Sequence, residues 1–195
     1  MTQFSLYFKL GVQHILDIYA VDHILFILSL NVIFLIKDWK KVIILVTAFT
    51  IGHSITLALA VLNVVKFNEA LIEYLIPVTI FLTSLSNIFR KKDNFNITRN
   101  LQRNYFLAMI FGLIHGFGFS NYLRGLLGKE SSVTTPLLAF NLGIELGQIV
   151  VVIFFLLLSF FVVNLMGVNR RDWVMVISSA IAGIALTMMF EYKFW

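Results

Sequence analysis

The sequence predicts an all-α membrane protein with six transmembrane helices and an N-terminal amphipathic helix. Of its 195 residues, 59% are hydrophobic and only 13% are charged, about half the charged share of a soluble domain. The mean hydropathy is +0.92, and a water-soluble chain of this size could not bury so much apolar surface. These values exclude a soluble globular domain and a disordered chain.

Six segments are long and apolar enough to cross a bilayer, which takes about 20 largely apolar residues. They lie at about 20–36, 42–64, 70–89, 105–122, 136–166 and 173–190. Glycine and proline are sparse between these segments, so the chain has no flexible interdomain linker. We therefore interpret residues 1–195 as a single polytopic membrane domain.

Residues 1–17 are predicted to form the amphipathic helix. At 100° per residue, Lys9, Gln13 and Asp17 share a polar stripe, and Phe4 and Phe8 lie roughly opposite. Such a pattern is typical of a helix in the membrane interface. We expect this helix to lie on the outer leaflet or to fold over the bundle.

The distribution of basic residues predicts the orientation in a bacterial inner membrane, because cytoplasmic loops are enriched in lysine and arginine. The loops after the first, third and fifth spans hold ten such residues, and the opposite side holds five. Both termini should then be periplasmic. The net charge of +5 is interpreted as cytoplasmic anchoring, and no nucleic-acid partner is expected.

Seven ionisable side chains lie within or beside these hydrophobic segments, although each costs about 2.5–3.5 kcal/mol at the centre of a span. They are His14, Asp22, His23, His53, Glu73, His115 and Glu145. Helical spacing places Asn141 and Gln148 on the face of Glu145, and Asn87 on that of Glu73. We expect all seven ionisable groups to face one cavity in the outer half of the membrane.

These side chains favour a site for a divalent metal ion. Histidine and carboxylate ligands suit Ni²⁺, Co²⁺, Zn²⁺ or Fe²⁺, and the absence of cysteine excludes thiolate ligands. The predicted ligands are His14, Asp22, His23, His53, His115 and Glu145, supported by Glu73, Asn87, Asn141 and Gln148. A straight helix would hold His14 about 12 Å from Asp22, so we expect the N-terminal helix to end near Asp17 and the chain to turn over 17–20.

Each feature also has a purely structural interpretation. A single histidine inside a membrane is usually a hydrogen-bonded packing residue, and Asn141 and Gln148 could join helices. The glycines at 112 and 116, and at 143 and 147, have the spacing of close helix packing. It is the combination of four histidines with buried glutamates that favours the metal site.

Four ordered motifs carry a resemblance to a known family. They are LGVQHIL at 10–16 with DHILF at 22–26, FTIGHSITL at 49–57, FGLIHGFGF at 111–119, and FNLGIELGQ at 140–148. Together they resemble the HupE/UreJ family of small polytopic membrane proteins, regarded as nickel or cobalt permeases. The resemblance implies that His14, Asp22 and His23 form a metal-entry motif. It implies further intramembrane polar positions at His53, His115 and Glu145.

The favoured interpretation is a lipid-embedded permease for a divalent metal, nickel or cobalt, with no catalytic residues. One alternative is an intramembrane metal-binding enzyme, although the HExxH motif of common metalloproteases is absent. Another is a metal-binding subunit or assembly factor of a larger membrane complex. A homo-oligomer is compatible with any of the three.

Overall fold

A computed structural model describes residues 2–17, 21–65, 67–90, 101–127 and 133–193, and all regular structure in these ranges is helical. The eight α-helices are α1 (Gln3–Leu16), α2 (Val21–Asn31), α3 (Trp39–Val61), α4 (Glu69–Ile88), α5 (Leu101–Gly118), α6 (Ser120–Leu127), α7 (Thr134–Phe160) and α8 (Arg170–Glu191). A 3₁₀ turn at Ile36–Asp38 leads into α3, and a π-helical turn at Phe161–Leu165 extends α7.

Four continuous helical segments are long and apolar enough to cross a membrane: Ile36–Val61, Glu69–Ile88, Thr134–Leu165 and Arg170–Glu191. Two further candidates are bent pairs: α1 with α2 at 69°, and Asn104–Gly118 with α6 at 51°. The described residues therefore provide four to six spans. This agrees with the predicted all-helical membrane protein, and the four continuous spans lie within a few residues of their predicted bounds.

The predicted first and fourth spans differ from the structure. The span predicted at 20–36 contains only the 11 residues of α2 as α-helix, which is about 16 Å long and about half the thickness of a hydrocarbon core. The apolar run continues beyond Asn31, but Val32, Ile33 and Phe34 are non-helical residues buried in the core. The span predicted at 105–122 bends after Gly118, where α5 gives way to α6.

The N-terminal helix is packed into the bundle along one face. Lys9 and Gln13 are exposed, as their polar stripe predicts, but Tyr7, Gly11 and Ile15 are buried. A Cβ atom on Gly11 would lie only 2.1 Å from the carbonyl oxygen of Phe140 in α7. Of the two expected positions for this helix, the packing agrees with folding over the bundle rather than lying on the leaflet, because the missing side chain of Gly11 allows α1 to pack directly against α7.

The helix end predicted near Asp17 is confirmed, since α1 ends at Leu16 and Asp17 has an extended backbone. Of the turn predicted over 17–20, residues 18–20 lie outside the described residues. The bend of 69° between α1 and α2 turns the chain between His14 and Asp22, as the sequence argument requires.

Two helix pairs are packed through glycines in the same way. In α1 and α7, Gly11 faces Phe140 and Gly143 faces Phe8. In α3 and α5, Gly52 faces Met109 and Gly112 faces Phe49, with added Cβ atoms again about 2.1 Å from backbone oxygens. One turn further along each contact, Gly147 of α7 meets Ile15 of α1, and Gly116 of α5 meets Thr56 of α3. The contacts therefore advance in the same direction along both helices, and each pair is parallel.

The first four helices correspond to the last four. The segment AFTIG at 48–52 of α3 matches AFNLG at 139–143 of α7, and Gly11 with His14 matches Gly112 with His115. Each half begins with a bent pair, α1–α2 or α5–α6, and each first helix packs against the third helix of the other half. The fold therefore contains an internal repeat, in which the first helix of each half packs against a helix of the other half.

Candidate metal centre

A cavity of about 170 Å³ opens beside the first turns of α4, at what we call the Glu73 end of the bundle. Its lining side chains belong to α1, α2, α4, and the C-terminal ends of α5 and α8: His14, Asp22, His23, Glu73, Ile76, Pro77, His115, Phe119, Met188 and Tyr192. Five of the seven predicted ionisable groups therefore meet in one cavity.

Four histidines from four helices form one group, which we call the histidine cluster: His14, His23, His53 and His115. Ring nitrogens of the first three lie within 4.8 Å of one another. The ring centres of His23 and His115 are 5.4 Å apart. Two ligands on opposite sides of an ion at 2.0–2.1 Å are about 4 Å apart, so small ring movements would bring these nitrogens into a metal's first shell.

Two rings are already held in the orientation that a metal ligand needs. Nδ1 of His23 lies 3.0 Å from Oδ1 of Asp22, and Nδ1 of His115 lies 3.0 Å from the carbonyl oxygen of Phe111. A carbonyl or an ionised carboxylate only accepts, so Nδ1 donates in both cases. Nε2 then carries the free lone pair, and it has no partner among the described residues at either histidine. Metal-binding histidines commonly donate their other ring N–H to a carboxylate or a carbonyl oxygen in this way, which fixes the orientation of the ring.

His53 and His14 add further nitrogens without partners. His53 is fully buried on α3, and neither of its ring nitrogens meets the distance and angle of a hydrogen bond within the described ranges, although the side chain of Asn141 interacts with the ring. Nε2 of His14 also has no hydrogen-bond partner in these ranges. Buried polar atoms are rarely left unsatisfied, because each loses its water without compensation. A cation bound between the rings would satisfy them.

Carboxylates give the cavity mouth a negative character. Asp22 and Glu73 both line it, together with the phenol of Tyr192 just beyond α8. Partial burial raises the pKa of Tyr192, and the carboxylates of Glu191, Asp22 and Glu73 raise this pKa further. An electrostatic environment that disfavours a phenolate favours an incoming cation.

The remaining predicted residues lie elsewhere, so the expectation of one shared cavity is wrong for Glu145. Oε1 of Glu145 accepts a hydrogen bond of 2.7 Å from Thr47, in an outward-facing groove between α3 and α7 that Asn141 also lines. Gln148 accepts from Thr50 at 2.9 Å in the same interface. The polar stripe on α7 is present as predicted, but it faces the groove between α3 and α7 and not the cavity.

Asn87 also lies apart from the histidine cluster. Its amide donates to the carbonyl oxygen of Ser29 at 2.7 Å and lines a separate cavity at the far end of α4. It lies 14 residues beyond Glu73 on the same helix, which is about 21 Å. The two residues belong to one helix, as predicted, but the length of α4 separates them.

Two aromatic residues that line the cavity, Phe119 and Tyr192, are not among the predicted site residues. The ring centre of Phe119 lies 3.8 Å from that of His14. Its position four residues after His115, within the quoted motif, could have revealed it. Tyr192 follows the last span and carries no sequence signal, because only the packing of α8 beside α4 brings it to the cavity.

Comparison with known proteins assigns the family. The model of the family described as "HupE / UreJ protein" matches residues 1–192. The chain belongs to the HupE/UreJ family. This confirms the resemblance drawn from the four motifs and associates the chain with membrane metal transport. Neither a curated protein nor a solved structure matches the chain.

Proposed function

We propose that this HupE/UreJ protein is an inner-membrane permease for a divalent metal ion, nickel or cobalt, and that the histidine cluster is its transport site. The observation that carries the proposal is the set of buried, unpartnered ring nitrogens from four helices beside an acidic cavity. Imidazole ligands suit Ni²⁺ and Co²⁺ and also Zn²⁺ and Fe²⁺, and the family favours the first two.

In this proposal the metal enters as substrate at the Glu73 end. Asp22 and Glu73 attract the hydrated cation, and His14 and His23 then replace part of its water shell. His53 and His115 complete the coordination deeper in the bundle. Conduction requires binding weak enough for release, so we expect the four rings to coordinate the ion incompletely or in sequence.

The driving force we propose is the membrane potential. The sequence has no GxxxxGK[ST] nucleotide-binding motif. An inside-negative potential favours entry of a divalent cation by about 4.6 kcal/mol per 100 mV. This is enough to concentrate the ion without a chemical energy source.

The proposed topology counts each bent pair as one span. It gives six spans, with both termini in the periplasm and the Glu73 end facing outward. The ten-to-five distribution of basic residues supports this orientation. The Asn87 end of α4 then faces the cytoplasm.

Glu145 has a positioning role in this proposal, together with Asn141 and Gln148. Glu145 and Gln148 accept hydrogen bonds from Thr47 and Thr50 on α3. These bonds hold α7 beside the helix that carries His53. Interhelical hydrogen bonds in membranes contribute about 0.6 kcal/mol on average, so we expect them to fix geometry rather than to bind the ion.

One observation favours an intramembrane metalloenzyme as a second candidate. Three histidines around one point, as in His14, His23 and His53, also form catalytic zinc sites with an open fourth position. Such an enzyme would retain its ion through purification, whereas a permease would release it. Metal content of the purified protein after dialysis separates the two.

Uptake into proteoliposomes tests the permease directly. Purified protein is reconstituted and exposed to a panel of Ni²⁺, Co²⁺, Zn²⁺, Fe²⁺ and Mg²⁺. We expect saturable uptake of Ni²⁺ or Co²⁺ that His23→Ala and His53→Ala each reduce to the level of empty liposomes. Ser178→Ala is the matched control, since Ser178 is a fully buried polar residue of α8. Equal uptake by the histidine variants and the parent would contradict the ligand role.

A further inference from the structure

A second cavity, of about 320 Å³, lies at the Asn87 end of the bundle. Its polar lining residues come from α2, the C-terminal part of α4 and the start of α5: Ser29, Thr83, Ser86, Asn87, Arg90 and Asn104. It contains none of the histidines.

Three helices run from the first cavity to the second with the same order of residues. Each has an ionisable group in the first cavity, an apolar residue in the middle and a polar residue in the second cavity. These sets are His23, Phe26 and Ser29 on α2; Glu73, Ile80 and Asn87 on α4; and His115, Phe111 and Asn104 on α5. The two cavities are therefore successive chambers along the same helices.

Phe26 occupies the centre of the layer between the chambers. Its ring centre lies 4.9 Å from His115, 4.9 Å from Phe49 and 5.5 Å from Phe111. Phe26 itself is 1% exposed, whereas Phe111 also lines the second cavity. The ring therefore contacts the histidine cluster on one side and the wall of the second cavity on the other.

The layer is thin. His23 and Ser29 are six residues apart on α2, which corresponds to about 9 Å along the helix axis. Phe26 lies midway between them, so the separation between the chambers is about one aromatic side chain deep. A constriction of this kind blocks ions by excluding water, and movement of one ring would connect the chambers.

We propose that the second cavity is the exit chamber of the cation path and that Phe26 is the gate that closes it in this conformation. This inference rests on the proposed permease function and adds a gating residue to it. Hydroxyl and amide oxygens of Ser29 and Asn87 offer weak ligands to a cation leaving the imidazoles.

Thiol labelling tests the gate without measuring transport. The sequence has no cysteine, so Ser29→Cys introduces the only thiol. A small, membrane-impermeant, positively charged methanethiosulfonate is applied to right-side-out and to inverted membrane vesicles. We expect labelling only from the side of the Asn87 end. The inference is overturned if this thiol reacts from neither side, as in a lipid-filled cavity, or reacts equally from both.

Removal of the gate should connect the two sides. In the Ser29→Cys background, Phe26→Ala should raise labelling from the Glu73 side by about tenfold or more, a barrier change of ~1.4 kcal/mol. Phe155→Ala is the matched control, because Phe155 is equally buried but stacks on Trp173. Its labelling should stay one-sided. If Phe26→Ala fails to fold, Phe26→Leu provides a milder truncation, and unchanged sidedness in that folded variant overturns the inference.

The outcomes separate the gate from the permease. Labelling that becomes two-sided, with no divalent ion taken up by the parent, would support the gate and contradict the proposed function. Metal uptake by the parent, with the same one-sided labelling in Phe26→Ala, would support the permease and contradict the gate. If both hold, proteoliposomes with Phe26→Ala should admit Mg²⁺, which the parent excludes, whereas Phe155→Ala should not.

Discussion

The two glycine-packed helix pairs share one scaffold but differ in the residues that they present. In both pairs an added Cβ would collide with the backbone of the neighbour, so both rely on the same close approach. Gly52 in α3 is followed by His53, whereas the matching Gly143 in α7 is followed by Ile144, and both following residues are fully buried. His14 and His115 occupy matching positions in the partner helices. A repeated scaffold thus carries an asymmetric histidine cluster, because neither His53 of α3 nor His23 of α2 has a histidine counterpart in the second half.

The largest expected effect comes from breaking either scaffold. Gly52→Ala and Gly143→Ala each place a Cβ about 2.1–2.2 Å from a carbonyl oxygen, and overpacking of this kind costs about 1–3 kcal/mol or more. We expect both to lower the thermal unfolding temperature in detergent. Gly183→Ala, which has nothing within 4 Å, should leave it unchanged or raise it slightly. A lower unfolding temperature for only one of the two variants would show that the two helix pairs are not equivalent.

The next largest effect tests the position that distinguishes the pairs. His53→Ile makes α3 resemble α7 and removes one ligand from the histidine cluster. We expect Ni²⁺ binding, measured by equilibrium dialysis, to fall to the limit of detection, with the unfolding temperature kept or raised because an unsatisfied buried imidazole is removed. Ile144→Leu is the control in α7 and should bind as the parent does. Parent-like binding by folded His53→Ile would remove His53 from the site.

A smaller effect is expected from the carboxylate that orients His23. Asp22→Asn keeps the side-chain shape but removes the charge facing Nδ1 of His23. Loss of a group that orients a metal-binding histidine in this way lowers metal affinity by about 10–100-fold. The measurement is the Ni²⁺ dissociation constant from competition with a chelator. Asp172→Asn, in the first turn of α8, is the control, and an equal loss in both variants would indicate a general charge effect.

The smallest effect is expected in the interface between α3 and α7. Thr47→Val removes the hydrogen bond to Glu145, worth about 0.6 kcal/mol on average in membrane proteins. Nickel affinity should change by less than about threefold. A change in affinity as large as that of Asp22→Asn would indicate that Glu145 belongs to the transport site. Thr187→Val, on an exposed part of α8, controls for loss of a threonine hydroxyl.

Hydropathy predicts the parts of the fold that consist of single long helices. Helices α3, α4, α7 and α8 are continuous apolar runs and lie close to their predicted bounds. Hydropathy left two positions open for α1, because its contact with α7 depends on Gly11 and a missing side chain adds nothing to a hydropathy pattern. The end of α2 was not predicted, because Val32 to Phe34 continue the apolar run although they are buried in the core as non-helical residues.

The sequence predicts the type of ligand at the candidate site, but not which of the polar residues come together there. The absence of cysteine and the presence of four histidines already favoured imidazole coordination, and the separation of His14 from Asp22 required the helix to break. A helical wheel gives the face of α7 that carries Glu145, but not which helix that face meets. Its partner, Thr47, is 98 residues away, and only the fold brings the two together.

X-ray absorption at the nickel edge tests the central claim most directly. The claim is that imidazoles from α1, α2, α3 and α5 bind one divalent ion. For Ni²⁺-loaded protein we expect three or four imidazole ligands at about 2.0–2.1 Å, and a count lower by one in His115→Ala or His14→Ala. An unchanged count in both variants, or a shell of oxygen ligands alone, would contradict the account.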